Sequence, residues 1–250
     1  KRLKRRRIRF ASENFRIRSA PRLAKEAFDK GRKAFRKKVY ADALIHYKMG
    51  YALSPDAAGF LREIGATYEK LGAKGERTKW YVSYLRRRPF GKNAAAIRKT
   101  LRNEKGALGS VSIQSPFPCD SFVVVGMAGP KPPIKEMTMA PGKYTSLCVN
   151  EKYRIGYWED FTVQTGKPNN VKLAWAVIVN DLKEPYGRIV LENPREAGVM
   201  MDLGISSPEI GVAVPRDRRA LKMILKADDG SRVEERFIRL EPGAKERVKW

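Results

Sequence analysis

Apolar residues recur at helical spacing through the first hundred positions and at a spacing of two through the rest. Ala27, Gly31 and Ala34 lie at i, i+4 and i+7, and Leu61, Gly65 and Tyr68 repeat the pattern 34 residues later, which sets each trio on one helix face. First helices are expected near 24–37 and 58–71, and second helices near 40–53 and 76–87. Ser54-Pro55-Asp56 and Arg88-Pro89-Phe90 close the second helices, because proline lacks the N–H donor and clashes with the preceding turn. Gly31, Tyr47 and Pro55 return as Gly65, Tyr81 and Pro89, each displaced by 34. Glycine at 31 and 65 lets paired helices approach closely, and residues 94–101 read as a closing helix.

After Asn103-Glu104-Lys105-Gly106 the period changes. Val111 and Ile113 alternate with polar neighbours, Phe122-Val123-Val124-Val125 follows a proline-rich turn, and further strands are expected near 134–140, 143–150, 158–164 and 170–176. Ala140-Pro141-Gly142 and Thr165-Gly166-Lys167-Pro168 are turn clusters. This half is duplicated as well: Gly109-Ser110-Val111-Ser112-Ile113-Gln114-Ser115-Pro116 matches Gly187-Arg188-Ile189-Val190-Leu191-Glu192-Asn193-Pro194 at an offset of 78, and Gly126 matches Gly204. Toward the ends, Gly166 before Val171-Lys172-Leu173-Ala174-Trp175 parallels Gly243 before Val248-Lys249-Trp250. Two small β domains, 109–176 and 187–250, joined by a connector at 177–186, account for the pattern.

The 34-residue period with its anchors resembles the tetratricopeptide repeat over residues 24–89, two units within a helical module spanning 24–104. Lys30, Gly50 and Arg77 depart from it. Two units are few, so a further upstream unit, or docking by residues 10–23, is expected. The strand, proline-initiated turn and strand ending in glycine are similar to the PEGA domain, most clearly in the run from Pro194 to Gly204. Pro116-Phe117-Pro118-Cys119-Asp120 departs from its small residues. The resemblances imply a multidomain chain, α then all-β: a short tetratricopeptide-like solenoid followed by two PEGA-like β-sandwich domains.

Charge divides the chain in the same place. Residues 1–108 hold 31 basic and 9 acidic side chains, and residues 109–250 hold 21 and 18. The N-terminal half therefore sets up a field that attracts acidic proteins or polyanions. Residues 1–23 read as a basic arm, carrying Lys1, Arg2, Lys4, Arg5, Arg6, Arg7 and Arg9 and then Arg16, Arg18 and Arg22. The tetratricopeptide resemblance implies a concave groove lined by first helices, here Lys25, Phe28, Arg32, Phe35 and Arg36, then Arg62, Ala66, Glu69 and Lys70. Arginines there would grip a carboxylate bidentately. The family's carboxylate-gripping asparagine has no counterpart in the expected place, so a dedicated receptor for C-terminal tails is not expected.

Other chemistry is thin. His46 is the one histidine, and a lone helical histidine is ordinarily packing or polar surface. With two cysteines besides it, no zinc constellation can be assembled. Nucleotide-binding glycine loops are absent from the sequence. Trp158-Glu159-Asp160 pairs two carboxylates, but strand neighbours point to opposite faces. Asp228-Asp229-Gly230 reads as a hairpin turn. Cys119 and Cys148 could form a disulfide or remain two thiols in a reduced core. No stretch of about eighteen apolar residues offers a transmembrane helix.

The expected function is therefore non-catalytic, with no metal, cofactor or small-molecule substrate. The first reading is an adaptor or scaffold of a bacterial cell-envelope assembly whose basic helical half docks an acidic protein partner. The alternative is a polyanion binder, contacting nucleic acid, phospholipid headgroups or anionic glycan through the basic arm. The PEGA resemblance implies the periplasm or envelope, with the cytoplasm as the alternative. The chain opens on Lys1 rather than Met, and an upstream export signal would fit that start.

Overall fold

A computed structural model of the chain describes residues 20–181, 187–205, 209–227 and 232–249. It divides into a helical unit running to Gly109, which also takes in Thr138–Gly142, and a β unit made of the remainder.

Five helices form the described part of the helical unit: α1 (20–36), α2 (Tyr40–Leu53), α3 (Ala58–Lys70), α4 (Lys74–Arg87) and α5 (Ala94–Leu101). Their hydrogen bonds repeat at the sequence period. Val39 N–H donates to the Ala34 carbonyl and Lys38 N–H to Phe35, closing α1; 34 residues on, Ala73 donates to Tyr68 and Gly72 to Glu69, closing α3. Both closures need a left-handed residue, Lys38 at φ 62° and Gly72 at φ 73°, as helix C-termini commonly do. Ser54 to Gly50, Ala57 to Ser54 and Phe60 to Ala57 recur likewise as Arg88 to Tyr84, Gly91 to Arg88 and Ala94 to Gly91. Within each hairpin a tyrosine ring packs directly against a glycine. A Cβ on Gly31 would come within 2.7 Å of Tyr47, and one on Gly65 within 2.5 Å of Tyr81.

Between hairpins the sizes are exchanged. Gly50 leaves room for Phe60, whose ring a Cβ at 50 would meet at 2.3 Å. The equivalent positions are Tyr84 and Ala94, which share one buried cluster with Leu61, Tyr81, Leu85, Ile97 and Leu101. Gly50 is thus a departure from the repeat that Phe60 compensates on the facing helix.

Among the described residues the β unit forms two seven-stranded modules of one topology. The first has β1 (Gly109–Gln114), β2 (Ser121–Val124), β3 (Met127–Ala128), β4 (Ile134–Met139), β5 (Gly142–Asn150), β6 (Ile155–Val163) and β7 (Asn169–Lys172). The second has β8 (Trp175–Asp181), β9 (Arg188–Glu192), β10 (Met200–Ile205), β11 (Glu209–Ala213), β12 (Leu221–Lys226), β13 (Arg232–Ile238) and β14 (Lys245–Lys249). Sheets run β4-β1-β7 and β3-β2-β5-β6 in the first, β11-β8-β14 and β10-β9-β12-β13 in the second. Adding seven to each label of the first module gives the second. The parallel pair β1 with β7 recurs as β8 with β14.

This topology corrects the sequence register at one end. Residues 177–181, expected in a connector, belong to β8, the central strand of a three-stranded sheet and the counterpart of β1. The segment 187–194, which matches 109–116 in sequence, instead supplies β9, the counterpart of β2. The glycine before β3, Gly126 at φ 68°, corresponds to Gly198 at φ 79° before β10 rather than to Gly204. The end match stands, since Gly166 precedes β7 as Gly243 precedes β14. The misalignment has a physical source: a short strand with alternating apolar residues between glycine and proline describes β1 and β9 equally well.

β8 is buried along both faces. Ala176 and Ile178 enter the second module's core with Ile189, Leu191, Leu221 and Met223. From its other face Trp175, wholly buried, packs on Phe117 and Tyr153 of the first module at centroid distances of 4.7 and 6.0 Å. Gly211 N–H donates to the Tyr153 carbonyl at 2.7 Å, and a Cβ on Gly211 would meet Ile155 at 2.7 Å. The two β modules therefore share a packed junction.

Cys119 and Cys148 are joined in a disulfide, buried at 3% and 0% exposure. It ties the β1–β2 loop, and with it Phe117, to β5. Asn150 Nδ2 donates to the Pro118 carbonyl and Asp120 accepts from Glu151 N–H, completing the attachment.

Candidate functional site

The cations expected to line a groove fall on α1 and α3. Lys25, Arg32 and Arg36 sit at i, i+7 and i+11 of α1, a line along one face at 3.6 residues per turn, and all three are exposed. Arg62, half-buried, and Lys70, exposed, lie on α3, Lys70 rotated about 80° from Arg62. The charges of Arg32, Arg62 and Arg36 all act on the buried Tyr47 hydroxyl, together with that of Glu63. Burial, reinforced by Glu63, pushes the Tyr47 pKa up to about 12 while the three arginines pull against it. Arginines of both hairpins thus oppose the upward shift of one phenol.

Phe28 and Phe35 play a different part from the one their groove positions suggested. Phe28 packs edge-on to Phe60 and tilted to Tyr47, with centroids 5.4 and 5.7 Å away, and Phe35 packs on Tyr40 at 5.3 Å. Both are half-buried members of the hydrophobic cluster around Tyr47 and Ile64, so they support the arginine line rather than offer an apolar contact.

The cations are not equally available. Arg32 pairs with Asp29 at 3.3 Å and Arg62 with Glu63, whereas among the described residues Lys25, Arg36 and Lys70 have no carboxylate partner. The exposed Arg32–Asp29 pair contributes little and opens readily. Arginines further along are structural. Arg87 donates to the Pro55 carbonyl, Arg98 to that of Pro89, and Arg86 to that of Pro141. Arg77, its side chain only 13% exposed, pairs with Glu104. Sequence reasoning missed these carbonyl-capping roles, for which charge runs give no local signal.

Of the basic arm, Arg22 lies in the first turn of α1 and pairs with Glu26. Lys1, Arg2, Lys4, Arg5, Arg6, Arg7, Arg9, Arg16 and Arg18 lie outside the described residues, as do Asp228-Asp229-Gly230 and residues 10–19. The basic excess does not rest on them: residues 20–108 alone hold 22 basic and 8 acidic side chains.

His46 is half-buried on α2. Among the described residues no group of three or more His, Cys, Asp or Glu side chains could hold a metal ion, and no helix is long and apolar enough to cross a membrane. On β6, Glu159 turns inward, its side chain 16% exposed, and accepts from Tyr157 Oη at 2.5 Å. Asp160 faces out and accepts from Thr145 Oγ1 at 2.6 Å. The two neighbouring carboxylates thus sit on opposite strand faces.

No known family model matches the chain, and no curated protein sequence resembles it closely enough to count as a relative.

Proposed function

We propose that the chain is a non-catalytic adaptor: a tetratricopeptide-like helical unit that docks an acidic segment of a protein partner, carried on a tandem of PEGA-like β modules in a cell-envelope assembly. The observation that carries this reading is the exposed line of Lys25, Arg32 and Arg36 along α1, with Arg62 and Lys70 on α3, the equivalent helix of the second hairpin. A planar guanidinium binds carboxylates bidentately, and several spaced along successive helices favour an acidic peptide over a single anion. The buried Cys119–Cys148 disulfide supports an oxidising compartment such as the periplasm.

The overall basic excess supports a second reading, general polyanion binding, and one experiment separates the two. A fluorescent Glu-rich peptide, a short DNA duplex and anionic vesicles are titrated with the full chain at low and physiological salt. The adaptor reading expects peptide binding that persists at physiological salt and weakens at least about tenfold in the Arg32→Ala/Arg36→Ala/Arg62→Ala variant. DNA or vesicle binding that dominates, falls steeply with salt and ignores the triple substitution would replace it with the polyanion reading.

A further inference from the structure

The cations of α1 and α3 lie on the first helix of each hairpin, which leaves the second helices, α2 and α4, without a role. These two differ sharply in make-up. Of 14 residues each, α4 holds six charged side chains and α2 holds two, Asp42 and Lys48.

α2 is apolar on two opposite faces. Ala43, Tyr47 and Gly50 are buried in the core of the helical unit. On the far side Ala41, Ile45, Met49 and Ala52, at i, i+4, i+8 and i+11, form a stripe about 17 Å long. All four are exposed, Ile45 at 63% and Met49 at 48%. A helix that is apolar on both faces is ordinarily covered on both.

The repeat does not demand this stripe. Thirty-four residues on, the equivalent positions hold Gly75, Lys79, Ser83 and Arg86, so the hairpin accepts polar and charged groups there. The apolar stripe therefore serves a contact of the first hairpin alone.

Its shape and its border say what covers it. The stripe lies about 180° around the helix from the buried residues, so it is an outward ridge, whereas a partner helix docks into a groove. Two large side chains and two alanines also fall far short of the roughly 800 Å² per side of a stable protein interface. A bilayer surface asks for less: a few protruding apolar groups, with cations beside them drawn to anionic headgroups. Those cations are present. Exposed Lys37 and Lys38 lead into the Ala41 end of the stripe, and exposed Lys48 flanks it, donating to Tyr68 Oη at 2.7 Å. Among the described residues none of the three has a carboxylate partner, and Asp42 is the one acid on the helix.

We infer that the outer ridge of α2 is a membrane-docking surface, which lays Ile45 and Met49 into an anionic bilayer interface and sets Lys37, Lys38 and Lys48 against the headgroups. This attachment does not rest on the docking of an acidic segment by α1 and α3. It also differs from general polyanion binding, which charge alone drives and which an apolar substitution leaves intact.

The test floats the full chain with vesicles of about 30% phosphatidylglycerol in phosphatidylcholine, and of phosphatidylcholine alone, at low and physiological salt. Saturable partition onto the anionic vesicles that persists at physiological salt is expected. Ile45→Gln/Met49→Gln should weaken it at least about tenfold, and Lys37→Gln/Lys38→Gln about threefold. Ile45→Trp should strengthen it, because indoles favour the bilayer interface. Ile45 and Met49 are exposed and glutamine is a good helix former, so unchanged thermal melts will separate lost partition from lost fold. Binding of the Glu-rich peptide should not respond to the glutamine pair, so that failure of one reading leaves the other standing. No partition at physiological salt, or full partition in Ile45→Gln/Met49→Gln, would each overturn the proposal. So would a lipid-free dimer, seen by analytical ultracentrifugation, that the glutamine pair dissolves, since the ridge would then pair with a second copy of the chain.

Discussion

The helical hairpins repeat residue for residue, whereas the β modules repeat strand for strand. In the hairpins one offset, 34, relates the glycine–tyrosine contacts, the helix closures and the proline turns. In the modules the strand order is reproduced in full while the offset drifts, from 66 between the starts of β1 and β8 to 76 between those of β7 and β14. Where a ring lies against a helix glycine an added Cβ collides with it, so Gly31 and Tyr47 persist as Gly65 and Tyr81, and where the contact changes, as at Gly50 and Phe60, both partners change together. A strand asks only for apolar alternation on the buried side, and its loops can change length freely.

That contrast can be broken at several points. The largest effect is expected at the disulfide, which closes a separation of 29 residues. Replacing Cys119 and Cys148 with alanine should cost about 3–4 kcal/mol, from the unfolded-chain entropy of a loop that size. The loss should appear in β-unit unfolding, with altered Trp175 emission as Phe117 is released, and spare the helical transition. An equal loss in both units would show that they unfold as one.

Next come Gly31→Ala and Gly65→Ala. Each drives a Cβ into its tyrosine ring and should cost about 1–3 kcal/mol, by urea denaturation followed in the far ultraviolet. Because the two sites are equivalent, their losses should agree within about 0.5 kcal/mol. A clear inequality would mean that the repeat is one of sequence and not of packing.

The smallest effect is acid sensitivity confined to the second β module. Backbone N–H groups of Gly198 and Lys222 hold Glu192 below the ordinary carboxylate range, Gly204 N–H and then Arg188 do so for Asp202, Lys245 for Glu209, and Arg219 N–H for Asp217. A depressed carboxyl stabilises the fold above its unfolded pKa, and that contribution disappears as pH falls from about 4 through the folded values. Hydrogen exchange should therefore quicken in β9–β12 on acidification before it does in α3 and α4. Simultaneous loosening would refute the assignment.

How far the sequence could be read follows the same divide. The helix boundaries at 40–53 and 94–101 stand as expected, because proline, glycine and apolar spacing act within a few residues. Trp175 illustrates the opposite case. By sequence it closes the first β copy, yet it opens β8 and plugs the junction between modules. The cationic residues lay in between: the line of Lys25, Arg32 and Arg36 follows from helical periodicity, but the packing of α1 on α3 through Phe28 and Phe60 does not. The pairing of Glu159 with Arg216 left no trace in either segment, since the two lie 57 residues apart in sequence.

By itself, the sequence determined a helical first half and a strand-rich second half, each duplicated, with the positive charge concentrated in the first. These are properties of local periodicity, turn residues and composition. Only the tertiary structure decided which strands correspond, where the second module begins, which arginines cap carbonyls and which remain exposed. Those outcomes depend on which surfaces meet, and strands with identical alternation can be exchanged in sequence without changing the pattern, whereas in space only one arrangement buries β8 on both faces.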